Sequence, residues 1–399
     1  MSLALGQGAA AQSLTASGGL GVGVIDDSPA TVLEAGIDVG GADAALGLGG
    51  RVSLLADGGL RTEDWDDPGE WATLIRYLTY RKPAFADELQ VSLAAGELSG
   101  VELGYGGLIS SYDSGIDIDH RHLGMQTRVF GRQLGASAMI DDLVAPRIAG
   151  ARGYYLVFDR VYVGGAVASD LAAPVEDGEQ ALLGGSIDLA LPIRSARRSW
   201  WVEGYTELVG WAGLGAGAHL GARASSDIGA WSVSGRTEVR GGSKSYLPGY
   251  IGALYERNRV AFTPMESQLS RVRDVDLSGI GAEAAFGLQR SGVGSFHASA
   301  AHRAGLGMRA AASFSVAELE AVQLGFHGVY EQLGADGSAW VASSELRWRL
   351  PARLYATTQA ARLYRRQGQE IAPAWWMLSL IHISEPTRRR DSSRMPAEA

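Results

Sequence analysis

Along most of the chain, apolar and polar residues alternate with a period of two, in stretches of about ten residues broken by Gly, Asp, Pro or Ser. In Trp231–Arg240 (WSVSGRTEVR), Trp231, Val233, Thr237 and Val239 fall on one side and Arg236, Glu238 and Arg240 on the other. In Trp340–Leu350 (WVASSELRWRL), Trp340, Ala342, Leu346 and Trp348 oppose Ser343, Glu345, Arg347 and Arg349. In Trp200–Trp211 (WWVEGYTELVGW), Trp200, Val202 and Leu208 oppose Glu203, Tyr205 and Glu207. A helix, with its period of 3.6, could not separate these residues, so the pattern predicts strands.

The same reading, with less contrast, extends from residue 31 to residue 377 and includes 101–110 and 249–260 as strands, while 315–322 (SVAELEAV) could form a short helix. The expected fold is all-β: one large antiparallel transmembrane β-barrel of roughly 16–20 strands. So many strands must hide their edges, and closure into a barrel removes the edges altogether. The mixed charges say which face is wet. Glu203, Glu207, Arg236, Glu238, Arg240, Glu345, Arg347 and Arg349 would suffer heavy desolvation in the dry core of a small barrel, so they are expected to line a hydrated lumen while the Trp, Val and Leu faces meet lipid. Trp200, Trp231, Trp340 and Trp348 are the expected aromatic girdles. Trp340 and Trp348 stand eight residues apart on one face, or about 20 Å along the membrane normal at ordinary strand rise and tilt.

Composition adds three points. Hydrophobic residues make up 46% of the 399, Gly counts 55 and Pro 12, which allows a large buried surface. There are no cysteines, which excludes disulfides, thiolate metal sites and cysteine nucleophiles. The formal charge of −9 gives no basic footprint for nucleic acid, and no apolar run is long enough for a membrane helix.

Taken together, these alternating stretches resemble bacterial outer-membrane β-barrels of the porin-like kind. The resemblance implies export from a Gram-negative cytoplasm, insertion by the barrel-assembly machinery, contact with outer-membrane lipid, and passage of small solutes. It implies no cofactor and no enzyme activity. The expected function is a channel for small solutes through a charge-lined lumen. The alternatives are a barrel with a closed lumen that binds a partner or surface and, last, an outer-membrane hydrolase.

The ends read differently. Ala9-Ala10-Ala11 has the small-residue pattern of a signal-peptidase site, so residues 1–11 are expected to be a signal-peptide remnant and 12–30 a leader before the barrel. Leu378–Arg388 (LSLIHISEPTR) equals, residue for residue, the translation of a transposase-type sequencing adapter, and Ser393–Pro396 (SRMP) fits its continuation. Residues 378–399 are therefore expected to be a non-native tail that leaves the closing strand incomplete.

Candidate chemistry is sparse. Asp117, Asp119, His120 and His122 in DSGIDIDHRH suit a divalent metal, though an exposed loop explains them as well. Asp141 and Asp142 beside Arg147 suggest a turn or ion pair, and the acidic stretch 63–70 a solvated loop with weak affinity for calcium. The glycine-rich 213–221 lacks the lysine of a phosphate loop and is better explained by close strand packing. No G-x-S-x-G elbow is present.

Overall fold

The computed structural model describes residues 13–384, apart from positions 26–27, 67, 85–88, 118–120, 176–177, 195–199, 262–266, 304, 306, 320, 333–337, 352–353 and 368–369. The expectations for residues 1–11 and 385–399, and for Asp119 and His120, lie outside the described residues.

The first strands are β1 (Ser13–Ile25), β2 (Ser28–Gly40), β3 (Ala44–Leu55), β4 (Ile75–Ala84), β5 (Leu89–Gly96), the short β6 (Ile109–Ser110), β7 (Gly124–Gly131) and β8 (Leu134–Ile140). Then come β9 (Ile148–Val157), β10 (Val161–Val175), β11 (Gly178–Arg194), β12 (Trp200–Trp211), β13 (Ala216–Ile228), β14 (Trp231–Gly242) and the short β15 (Ile251–Gly252). The last are β16 (Gly279–Arg290), β17 (Gly294–Arg303), β18 (Gly307–Leu319), β19 (Val322–Gln332), β20 (Ser338–Arg349), β21 (Leu354–Gln367) and β22 (Glu370–Ser384). Twenty of them form one antiparallel sheet of sequential neighbours, and β22 pairs back onto β1 from Ile25↔Trp376 to Ser17↔Ser384. The sheet is a closed barrel without a free edge.

Alternation fixes which side faces out. On β11, Leu183, Ile187, Leu189, Leu191 and Ile193 are 49–64% exposed, while Leu182, Ser186, Asp188 and Ala190 between them are buried inside the barrel. Leu14, Leu20 and Val22 on β1, Leu220 on β13 and Ile280 on β16 are likewise exposed. An apolar belt of this extent on the outside of a barrel is a surface for hydrocarbon, not water. Trp340 sits at one rim of that belt, and Trp348, Trp200 and Trp231 sit at the other, all on the outer face. Trp375, absent from the expected girdle, joins Trp340 with ring centroids 6.1 Å apart.

One rim carries short connections such as 41–43, 229–230 and 291–293, and the other carries the long segments 56–74, 97–123 and 243–278. The segment 56–74 holds helix α1 (Pro68–Ala72). The segment 243–278 holds β15 and helices α2 (Tyr255–Ala261) and α3 (Gln268–Asp274).

Five expectations are corrected here. Residues 101–110 are an inserted loop rather than a wall strand, with Ile109–Ser110 paired to Ile251–Gly252 of the other long loop and Val101 bridged to Tyr112. Residues 249–260 become β15 and most of α2 for the same reason. Residues 13–25 are a wall strand, not a leader, because their outward residues Leu14, Leu20, Val22 and Val24 continue the belt. Residues 378–384 belong to the closing strand, so the barrel extends past residue 377; Leu378 and Leu380 point inward over Gly23 and Gly21, where a Cβ would clash. The segment 315–322 continues strand β18 and turns into β19, with no helix.

Candidate functional site

Segments 97–123 and 243–278 fold into the lumen instead of standing above it. Leu103, Leu108, Ile109 and Tyr112 from the first meet Tyr250, Ile251, Leu254 and Tyr255 from the second. They form an apolar core against the inward faces of β8 to β12, including Met139, Ala166, Leu182, Val209 and Trp211. Two positive φ angles and one close approach explain the glycines. Gly104 and Gly106 have φ of +69° and +81°, and a Cβ on Gly107 would lie 2.5 Å from Glu207. The sequence GYGG at 104–107 thus turns Tyr105 tightly against the wall.

Charged wall residues hold this plug. Tyr105 stacks on Tyr205 of β12 with centroids 3.9 Å apart, and its hydroxyl donates to Glu203 at 3.0 Å. Arg236 of β14 reaches Glu102 at 3.1 Å and Glu238 at 2.8 Å, donates to the Tyr205 hydroxyl at 2.9 Å, and donates to the backbone oxygen of Tyr105. Arg240 pairs with Glu238 and, at 2.8 Å, with Glu283 of β16. His219 of β13 lies 3.2 Å from Glu238 and 3.4 Å from Glu207, while its Nε2 meets the Tyr246 hydroxyl of the second loop at 2.6 Å. Glu203 also takes Arg223 at 2.7 Å. Glu238 is held dry by two arginines, as a buried charge requires, whereas both carboxylate oxygens of Glu207 lack a hydrogen-bond partner among the described residues.

The expected lumen-lining set therefore divides. Glu203, Glu207, Glu238 and Arg240 face inward as expected, but all four are buried beneath the inserted loops rather than bathed in water. Arg236 is mostly covered and borders a cavity of about 420 Å³ together with Trp201, Arg223, Glu102 and Glu283. Glu345 borders a larger cavity of about 560 Å³ and accepts from Gln359 at 2.7 Å. Arg347 lies over the Tyr355 ring at 4.6 Å, and Arg349 is exposed near the short-turn rim. The two cavities share Ser313 and His327, and the larger shares Arg51, Arg121 and Gln359 with a third of about 210 Å³. Arg51, Arg61 and Arg121 face the larger cavity from one side, and Glu97, Asp113 and Asp117 also line it.

The metal candidates do not converge. Asp117 lines that cavity and bridges to Tyr364, whereas His122 is buried at the foot of the first loop, 3.3 Å from Asp142. Among the described residues no group of three or more His, Asp or Glu side chains could hold a metal ion. Burial pulls the His122 imidazole down, but the hydrogen bond to Asp142 and the Glu256 carboxylate outweigh it, so its pKa is raised. Asp141 caps its turn, accepting from the backbone of Arg147 at 3.0 Å and Ile148 at 2.8 Å, and burial with Glu256 nearby pushes it up to about 6. In the acidic stretch, Asp64 pairs with Arg61 and Glu70 is buried.

OpdL of Pseudomonas aeruginosa superposes with a TM-score of 0.41 at 10% identity, over 94% of this chain and 98% of that one. A BenF-like porin from Pseudomonas fluorescens Pf-5 gives 0.38 at 10%, and OccK8 (OprE) of Pseudomonas aeruginosa 0.39 at 9%, each over 94% of this chain and 98% of theirs. No family model and no curated protein matches the sequence. Likeness this slight carries no information about individual residues or about what passes the lumen.

Proposed function

We propose that this protein is an outer-membrane channel for small solutes, narrowed from inside by two folded-in loops. One observation carries the reading: a closed barrel of twenty strands whose outside is an apolar belt and whose inside keeps water-sized space of about 560, 420 and 210 Å³ lined with charges of both signs. A barrel this wide leaves a lumen that side chains alone do not fill. The loops block the side near β8–β12, and the solute path runs along the other, past Arg51, Arg121, Glu97, Asp113, Arg223 and Arg236. Opposite charges along one path favour weak ion selectivity. Insertion by the barrel-assembly machinery, absence of catalysis and no part for nucleic acid belong to the same reading.

A second reading, a barrel closed to solutes and used for binding, is favoured by the apolar core that joins the two loops. Liposome swelling in uncharged solutes of graded size separates the two. A channel gives swelling that falls with solute size, and a sealed barrel gives the rate of empty liposomes for every solute.

A further inference from the structure

The barrel wall is not continuous from rim to rim. The ladder between β20 and β21 ends at Ala342↔Arg362. Above that pair β20 runs on against β19 as far as Ser338, and β21 runs on against β22 as far as Gln367, yet the two no longer bond to each other. Side chains stand in for the missing ladder. The Trp340 backbone N–H donates to the Tyr364 hydroxyl at 3.1 Å, and Arg362 Nη1 donates to the Trp340 carbonyl. Tyr364 itself has turned to the lumen loop, its N–H donating to the Ile116 carbonyl at 2.9 Å.

The gap lies at the height of the aromatic rim and joins two different spaces. Inside, Ile116, Val341 and Leu363 line the 560 Å³ cavity. Outside stand Trp340 and Trp375, 37% and 48% exposed on the apolar belt. Between them the Tyr364 ring is flanked by two guanidiniums, Arg257 of α2 at 5.2 Å and Arg362 at 5.7 Å, while Arg362 also covers the Trp340 ring at 3.9 Å. The Arg257 Nε is buried and has no hydrogen-bond partner among the described residues. At the throat itself Ile116, Val341 and Leu363 with two cations suit an apolar chain that ends in a single anionic head, while the carboxylates of Glu97, Asp113, Asp117 and Glu345 lie elsewhere along the cavity wall.

We propose that the gap between β20 and β21 is a side opening through which such an amphipathic anion moves between the lumen and the surrounding lipid, with Tyr364 as its door. The proposal rests on the membrane-channel reading and adds a lateral exit to it. Its test uses a photoreactive decanoate carrying a diazirine at the chain end, added to protein in lipid nanodiscs. Adducts are expected on Val341, Leu363, Trp340 and Trp375, displaced by unlabelled decanoate but not by decanol. The sequence has no cysteine, so Trp340→Cys with Tyr364→Cys can be bridged uniquely by a short bis-methanethiosulfonate. Bridging should cut the Val341 and Leu363 adducts at least tenfold, and reductant should restore them. Arg362→Gln should lower them several-fold, and Arg349→Gln at the opposite rim should not. Adducts spread evenly along the belt and untouched by bridging would overturn the side opening. Bilayer conductance recorded on the same bridged sample reports the lumen separately, so loss of the side opening and loss of the channel are told apart.

Discussion

Tyr105 and Tyr205 lie face to face, 3.9 Å between ring centroids and 8° from parallel, although they are 100 positions apart in the chain. One belongs to a loop and the other to the wall, so the stack is where the lumen is narrowed. Arg236 locks it, since the same guanidinium touches the Tyr205 hydroxyl, the Tyr105 backbone oxygen and Glu102.

Arg236→Ala should free the first loop from the wall and take from the buried Glu238 one of its two arginines. Breaking a mostly buried ion pair of this kind costs about 3 kcal/mol, the low end for such pairs. The barrel should lose its compact, fast-migrating form on gels at lower temperature, and its conductance should rise and become noisier. An unchanged conductance would mean the loop is held elsewhere.

The second loop depends on a missing side chain. A Cβ on Gly217 would lie 2.1 Å from Tyr246 Cε1, so Gly217→Val must displace Tyr246 and break its bond to His219. Overpacking of this sort costs about 1–3 kcal/mol. Limited proteolysis should begin to cut within 243–278 in the variant while leaving the barrel strands whole.

The foot of the first loop should respond to pH. His122 has a raised folded pKa, so the stability it contributes is complete below its ordinary value of 6.5 and is lost as pH climbs through the folded value. Asp141 is also raised, from 3.8 to about 6, so the folded state holds its proton more tightly and stability falls as pH rises across that interval. Both effects point the same way. Protection factors of residues 141–147, with the intrinsic pH dependence of amide exchange divided out, should be higher at pH 5 than at pH 8, and His122→Gln should flatten the difference.

The outer face makes its own prediction. Ile187 is 64% exposed near the middle of β11, so in lipid Ile187→Arg should cost about 2–4 kcal/mol. On a water-facing strand such a change stays within about 0.5 kcal/mol. Folding into liposomes under urea titration distinguishes these outcomes.

The strand pattern told which side of each strand a residue faces, and the parity of Glu203, Arg236 and Trp340 in the structure agrees with it. It did not tell what lies opposite. Glu207, Glu238 and Arg240 were read as wet because a wide barrel has a wet lumen, and only the tertiary path of 97–123 makes that part of it dry. The stretch VELGYGGLIS reads as a strand by its apolar residues, yet the glycines on both sides of Tyr105 were the available sign of a sharp turn. The opposite error befell SLTASGGLGVGVI, whose lumen face is polar only at Ser13, Thr15 and Ser17 and then runs through Gly19, Gly21 and Gly23, so the alternation fades along the strand. The gap beside Tyr364 leaves no trace in the sequence, since it arises from pairing register alone.

The account stands most directly on planar-bilayer recording of the purified protein, alone and with residues 99–121 replaced by a short glycine-serine linker. It predicts stepwise conductance with weak ion selectivity for the intact chain, and larger steps once the inserted loop is gone. No conductance from either form, with the barrel shown to be inserted, would contradict it.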